Sequence, residues 1–195
     1  ETRRVWLVHR LDQDTSGLIV CTFDAEAGAI LKEALFEREV FKEYLALLVG
    51  LPERAHGEWE DHLVKSGGRG RADVRIKHGA PPNTRTRFRV QRYIEPARCA
   101  LVALCPETGR THQLRVQAAA RQTPIAGDER YGDFTANRFL LREIGLRRMF
   151  LHAARLEFRH PRGGHRLRFH RDLGRQLAEP LSKLDELTSP VPRRS

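Results

Sequence analysis

The pattern that most constrains the fold of this chain is a series of apolar or alternating runs, each about as long as a β-strand. They occupy residues 5–8, 18–21, 40–49, 84–93, 100–104, 150–158 and 165–170. We expect the first two runs to be short buried strands on either side of a polar loop. Few segments with helical periodicity separate neighbouring runs. The sequence therefore predicts an α+β fold with a mixed, largely antiparallel sheet and flanking helices.

Three segments carry helical patterns. Asp24 precedes an amphipathic stretch and is the predicted N-cap of a helix that reaches about residue 37. Thr111 is the predicted cap of a second helix over residues 112–120, and residues 172–187 form a third. The polar residues 53–83 indicate loops with short strands. We expect one domain over residues 1–188 and a flexible tail over residues 189–195.

Composition narrows the class of protein. A hydrophobic fraction of 40% supports a real core and argues against overall disorder. Residues 1–4 do not begin a signal peptide, and no apolar run is long enough for a membrane span. Three cysteines without a C-x-x-C pair favour a reducing cytoplasm, with Cys21 and Cys99 as small core residues. Because the chain enters a strand almost at once and lacks an initiator Met, we expect the natural protein to continue upstream.

The charge balance indicates a polyanionic partner. The chain has 35 Lys and Arg against 25 Asp and Glu, a formal net charge of +10, and most of the excess is Arg. Guanidinium groups bind phosphate in a forked geometry and stack on bases, so nucleic acid is the commonest partner for such a surface. The alternative is a basic protein whose arginines are simply solvated.

The polar loop over residues 9–18, HRLDQDTSGL, is the first candidate for chemistry. Loops held on a rigid sheet often carry functional groups, and Asp12 lies there beside Arg10. Neighbours on an extended chain point to opposite sides, so a cation from elsewhere is the better partner for Asp12. The loop alone supports a reactive carboxylate and a structural ion pair about equally.

The second candidate is the segment TGRTHQLR over residues 108–115. Arg110 lies just before the predicted helix, while His112 and Arg115 are three residues apart and are expected to share its polar face. One of these arginines can bind Asp12 or a phosphate; the alternative is an ordinary solvated helix face. No Gly-Lys-Ser/Thr sequence supports nucleotide triphosphate binding.

Tyr44 is the third candidate, with Lys42 on the same face of its predicted strand. A lone Tyr in a strand usually packs in the core or at an edge, but a phenol here can also stack on a base or move a proton. The nine His residues have no convincing metal-ligand spacing, and we expect no metal site.

Taken together, these segments resemble the RluA-type RNA pseudouridine synthases. The matching blocks run in order along the chain: HRLDxxTSGL from residue 9, KxY from 42, TGRTHQLRV from 108, PIxGDxxYG from 124, and LHAxxL with HP from 151 to 161. The resemblance implies the pseudouridine synthase fold with a central RNA-binding cleft. It also implies isomerisation of specific uridines in ribosomal or transfer RNA, without a cofactor, by a protein that we expect to be a monomer.

The resemblance also assigns roles to residues. Asp12 matches the essential carboxylate, Arg115 the Arg that pairs with it, and Tyr44 the active-site Tyr that stacks on the base. Arg10 matches the residue that enters the RNA when the base is flipped, and Leu151 an apolar wall of the pocket. With Arg110 and His112, Arg10 and Leu151 complete the expected RNA-binding set.

The chain departs from the family pattern in three places. We expect the family's usual first strand and any S4-type domain to be missing, Gln117 stands where His is frequent, and RQTP over residues 121–124 replaces the usual Leu-Gly-His-Pro. The expected loss of the first strand motivates the alternative function, a non-catalytic RNA-binding module that keeps the fold.

Overall fold

The computed structural model describes residues 4–66 and 73–188. Their strands are β1 (Trp6–Leu7), β2 (Ser16–Gly17), β3 (Cys21–Thr22), β4 (Phe41–Val49), β5 (His56–Asp61), β6 (Leu63–Ser66), β7 (Asp73–Ile76), β8 (Thr84–Ile94), β9 (Cys99–Pro106), β10 (Leu151–Arg159) and β11 (Arg166–His170). Their helices are α1 (Ala25–Phe36), α2 (Gln113–Ala120), α3 (Phe134–Ile144) and α4 (Arg175–Thr188). The predicted tail over residues 189–195 lies outside the described residues.

A seven-stranded sheet organises the described part of the chain. Its strands lie in the order β11-β10-β4-β9-β8-β5, and β2 joins it by pairing with β10. The β2–β10 pair is parallel and the other pairs are antiparallel. Two-stranded ribbons, β1–β3 and β6–β7, lie outside this sheet. The predicted α+β fold with a mixed, largely antiparallel sheet is confirmed.

The alternation along β4 divides the core into two layers. Ala46 and Leu48 pack on one face of the sheet, in the cluster that contains Leu114 and Ala118 of α2. Leu47 packs on the other face against residues of α3 and α4. The helix α1 covers the end of the sheet near β10 and β11, where Leu31 lies against Leu156 and Phe158. Each layer buries apolar surface, which is the main stabilising contribution to such a fold.

The helix α1 agrees with its sequence pattern. Asp24 caps its first turn by accepting a 2.9 Å hydrogen bond from the Ala27 N–H, as predicted. The helix α2 begins later than expected, because Thr111 does not cap it. His112 occupies the N-cap position in a left-handed conformation, and the Gln113 side chain instead accepts a hydrogen bond from the Arg110 N–H.

The two runs around the polar loop are not the buried strands that we expected. Only two residues on each side of the loop form strands, which pair with each other as the β1–β3 ribbon. Val5, Leu7 and Ile19 are exposed. The ribbon lies outside the main sheet, with α1 against it, so one of its sides faces solvent. Cys21 is consequently exposed and its predicted place in the core is wrong, whereas Cys99 is buried as predicted.

The polar segment 53–83 contains the short strands β6 and β7 as predicted, but β5 joins the edge of the main sheet by pairing with β8. The helix α3 was not anticipated from the sequence. Among the described residues, no helix is long and apolar enough to cross a membrane.

Candidate functional site

A cleft of about 460 Å³ opens on the face of the sheet that carries Tyr44. Its walls come from the polar loop, β4, the segment before α2, and the start of β10. Six of the seven predicted site residues line it: Arg10, Asp12, Tyr44, Arg110, His112 and Leu151. The seventh, Arg115, reaches Asp12 from α2 through an ion pair of 3.6 Å. The structure therefore brings all seven together.

The loop that bears Asp12 is fastened at its C-terminal end. Asp14 adopts a left-handed conformation (φ 67°), and its carbonyl accepts a 2.6 Å hydrogen bond from Arg148. Beyond it, β2 pairs with β10 so that Ser16 lies opposite His152 and Gly17 opposite Ala153. The Ser16 hydroxyl lies 2.9 Å from Nδ1 of the buried His152. These contacts fix the position of Asp12 relative to β10.

Arg115 is held by two carboxylates. Its guanidinium donates two hydrogen bonds to Asp128, of 2.7 and 2.8 Å, while its remaining nitrogen faces Asp12. Arg115 is 9% exposed and Asp128 is 1% exposed. Arg115 is thus part of the interior, which corrects the alternative of a solvated helix face. The bidentate geometry orients the guanidinium towards Asp12.

The two groups of the buried pair stabilise each other's charge. Burial alone would raise the pKa of Asp128, but hydrogen bonds from Arg115 and from the N–H groups of Tyr131 and Arg130 hold that pKa below its usual value. Burial alone would lower the pKa of Arg115, but the hydrogen bonds and the negative charge of Asp128 outweigh the effect of burial, so the pKa of Arg115 is raised. Arg115 is therefore a permanent cation beside Asp12.

Asp128 was missed as a site residue in the sequence. It lies in the PIxGDxxYG block, which carried the resemblance but no assigned role. The signal that could have revealed Asp128 was its position, as an acidic residue, in a block that matches the family pattern. Its contact with Arg115 is set by tertiary packing and has no sequence spacing to reveal it.

Tyr44 presents its phenol to the cleft from the middle of β4. Burial, together with the negative charge of Asp12, raises its pKa to about 12. The phenol is therefore neutral near pH 7 and can donate a hydrogen bond. Lys42 lines the same cleft, as the period of two predicts, and burial lowers its pKa.

His112 lies at the start of α2 rather than on the helix face with Arg115 that we expected. Its left-handed backbone (φ 53°) turns the chain into the helix, and its Nδ1 lies 2.9 Å from the Tyr131 hydroxyl. The Tyr131 ring in turn lies 5.1 Å from the Arg115 guanidinium carbon. Burial lowers the pKa of His112, which favours a neutral imidazole in the cleft.

The remaining predicted residues form the rim and one wall. Arg10 and Arg110 are exposed at the cleft, where their guanidinium groups are available to an anion. Leu151 is buried and supplies an apolar surface. Within residues 4–66 and 73–188, no group of three or more His, Cys, Asp or Glu side chains is arranged to hold a metal ion.

The chain is similar to known proteins along most of its length. Residues 1–120 match the family model described as RNA pseudouridylate synthase. The chain is 39% identical over 195 residues to the ribosomal large subunit pseudouridine synthase C of Haemophilus influenzae, covering 95% of this chain and 57% of that protein. The chain is also 39% identical over 197 residues to the ribosomal large subunit pseudouridine synthase C of Escherichia coli K12, covering 94% of this chain and 57% of that protein. The chain thus spans little more than half the length of these curated relatives.

Two solved human structures share the fold. RNA Pseudouridylate Synthase Domain Containing 1 superposes with a TM-score of 0.71 at 28% identity, covering 87% of this chain and 69% of that one. RNA Pseudouridylate Synthase Domain Containing 4 gives a TM-score of 0.72 at 28% identity, covering 92% of this chain and 76% of that one.

Proposed function

This chain belongs to the RNA pseudouridylate synthase family, and on that basis we propose that it isomerises uridine to pseudouridine in RNA. The reaction breaks the bond between C1′ of the ribose and N1 of uracil. The base then turns and C1′ bonds to C5, C5 releases its proton, and N1 takes up a proton. Atoms are conserved within the nucleotide, so the chemistry calls for a placed carboxylate and proton transfer rather than for a co-substrate.

One observation carries the proposal. Asp12 faces an anchored, buried guanidinium in a cleft of about 460 Å³ with a neutral Tyr at its side. A carboxylate acts as a nucleophile or base in its charged form, and the buried Arg115 guanidinium lies 3.6 Å from Asp12 as its cationic partner. We propose Asp12 as the catalytic carboxylate and Arg115 as the residue that positions it.

The surrounding residues suit a flipped base. The target nucleotide must leave its stack before C1′ is accessible, at a cost of a few kcal/mol. We propose that Arg10 occupies the vacated space and pairs with a phosphate, and that Arg110 and His112 also contact the backbone. Tyr44 offers a ring face to the uracil and a hydroxyl for proton transfer from C5, while Leu151 packs against the base.

The relatives' names narrow the proposed substrate to RNA of the large ribosomal subunit. We further propose that the protein acts in the cytoplasm as a monomer, with residues 1–188 as its catalytic domain. The three cysteines are unpaired, which agrees with a reducing compartment.

The test is the Asp12→Asn variant, which keeps the shape of the side chain but removes its charge. We expect turnover to fall below detection while RNA binding survives. Pseudouridine is mapped by carbodiimide labelling in large-subunit RNA that lacks the modification, after incubation with each protein. Asp12→Asn activity near that of the parent would contradict the assignment.

Asp14→Asn is the matched control for this experiment. It makes the same change two residues away, at a left-handed position that Asn readily adopts, and its side chain does not line the cleft. We expect it to keep activity. If the parent binds RNA with steep salt dependence but forms no pseudouridine, the chain is a non-catalytic RNA-binding module instead.

A further inference from the structure

A second depression of about 900 Å³ adjoins the candidate site. The two share Arg10, Lys42, Tyr44 and residues 108–110, so together they form one continuous trough. The far end of the second depression is built by the C-terminus of α1 and the residues that follow it. Nothing in the role proposed for the cleft uses this end.

Phe36 is the last residue of α1 and lines this end of the trough. It is 81% exposed, more than any other large hydrophobic residue described. A ring so exposed contributes little to the core, yet it is presented on a rigid helix end. An exposed aromatic face in a basic groove is the feature on which single-stranded bases stack.

Arg38 follows in an unusual conformation. The helix ends in a Schellman motif, in which the Glu39 N–H bonds to the Ala34 carbonyl (2.8 Å) and the Arg38 N–H to that of Leu35 (3.4 Å). Arg38 thereby takes the left-handed position (φ 63°) that usually belongs to Gly. These two hydrogen bonds hold the Arg38 backbone beside Phe36, at the end of the trough.

The charges along the second depression favour a phosphate backbone. Its cations are Arg10, Arg38, Lys42 and Arg110, and its acids are Glu37 and Glu107. The Glu107 carboxylate already forms a 3.0 Å ion pair with Arg87, which lies outside the depression. The trough therefore has an excess of cations next to an exposed aromatic ring.

We propose that Phe36 and Arg38 form a second nucleotide subsite, which binds a neighbour of the target uridine. The base stacks on the Phe36 ring and the phosphate contacts the Arg38 guanidinium. Arg10 and Lys42, at the junction of the two depressions, separate this nucleotide from the flipped one. The inference rests on the proposed function and adds a site that reads the RNA beside the target.

The stacking half is tested by RNA affinity. In an Asp12→Asn background, dissociation constants are measured by filter binding with an in vitro transcript of large-subunit ribosomal RNA. We expect Phe36→Ala to weaken binding by roughly 5- to 150-fold, the range for loss of one stacked base, and Phe36→Trp to restore it. Phe134→Ala removes another exposed ring, at the start of α3 and outside both depressions, and should have no effect.

The phosphate half is tested by the Arg38→Gly variant. Because Gly favours the left-handed backbone, this change should not lower the free energy of unfolding in urea. We expect it to reduce the slope of log K against log salt by about 0.7 to 0.9, the value for one phosphate contact. Arg98→Gly is the matched control, since Arg98 is also exposed and left-handed (φ 48°) but lines neither depression.

The outcomes separate the two proposals. If the unsubstituted chain binds no RNA, the proposed function and the subsite both fail. If it binds RNA but Phe36→Ala equals Phe134→Ala, or Arg38→Gly equals Arg98→Gly, that half of the subsite is wrong, and the proposed function is decided separately by pseudouridine mapping with Asp12→Asn.

Discussion

Arg115 is the residue on which the candidate site depends, because its guanidinium lies between Asp12 and Asp128. The contact to Asp128 is the closer and more buried of the two. The sequence predicted the Asp12–Arg115 pair through the family resemblance, along with the place of Tyr44 in the same cleft. It did not predict Asp128, because the orientation of a guanidinium is decided by packing around α2 and not by spacing along the chain.

Asp128→Asn should therefore be costly. It leaves the buried Arg115 without its bidentate partner, and losing one member of a buried pair typically costs about 3–5 kcal/mol. We expect the free energy of unfolding in urea to fall by this amount and activity to drop, since Arg115 is no longer oriented towards Asp12. Glu60→Gln breaks the exposed 2.7 Å pair with Arg85 and should leave the free energy of unfolding almost unchanged. Equal costs for the two variants would show that Asp128 is not a buried anchor.

Tyr44 should give the protein a distinct alkaline sensitivity. Its pKa rises from 10.0 to about 12, so the folded state keeps the phenol neutral. As pH rises above 10, the unfolded chain ionises first and the stabilising effect is lost progressively until pH passes 12. Tyr44→Phe should therefore lose less stability than the parent between pH 9 and 11.5, measured by urea unfolding. A parallel decline of the two proteins contradicts the shift.

At the scale of elements, the polar loop is fixed by the short parallel pair of β2 with β10. Gly17 makes this pairing possible, since its φ is +110° and a Cβ there would lie 2.2 Å from the Ala153 carbonyl oxygen. Few residues other than Gly tolerate such a backbone, and none with a side chain fits so close to β10.

Gly17→Ala should disrupt the loop. We expect a loss of stability well above the roughly 1–2 kcal/mol for left-handed strain alone, together with loss of activity. Gly79→Ala is the control, because Gly79 also has a positive φ (+75°) but nothing lies within 4 Å of an added Cβ. Thermal melts and pseudouridine mapping measure both effects. Similar behaviour of the two variants would mean that the close approach to Ala153 is not limiting.

The elements differ in how far the sequence revealed them. The long strands β4 and β8 were predictable, because the second half of β4 is a continuous apolar run buried on both faces and β8 buries alternate side chains along its first half. The helix α3 carried signals that went unused: Asp133 caps it by accepting from Thr135 and Ala136, and Gly145 ends it in a left-handed conformation. The burial of the runs around the polar loop was predicted wrongly, because an apolar sequence does not show whether a second layer of structure covers both sides of a ribbon.

At the scale of the whole molecule, the two faces of the main sheet differ in character. Tyr44 and Lys42 face the cleft, and Glu43 between them faces the other side. On that other side, away from α3 and α4, a row of mostly polar residues crosses five strands: Arg87, Cys105, Glu43, Arg155 and His170. Nearby, Glu157 lies within ion-pair distance of Arg155, Arg166 and Arg168. The positive charge of the chain is thus spread over both faces.

We expect RNA to use only the cleft face. Replacing both Arg10 and Arg110 by Ala should lower the slope of log K against log salt by about 1.5, corresponding to two phosphate contacts. Replacing both Arg166 and Arg168 by Ala removes the same charge from the opposite face and should leave the slope unchanged. Filter binding between 50 and 300 mM salt, with the RNA transcript described above, distinguishes the two. A larger effect of the second pair would place the RNA on the opposite face.

The fastening of the polar loop has a consequence for biosynthesis. Asp14 and Ser16 contact Arg148 and His152, which are 134 and 136 positions further along the chain. While the chain is being translated, the segment with Asp12 therefore emerges long before the strand that secures it. The loop that carries Asp12 can therefore reach its final position only after the second half of the chain has been synthesised.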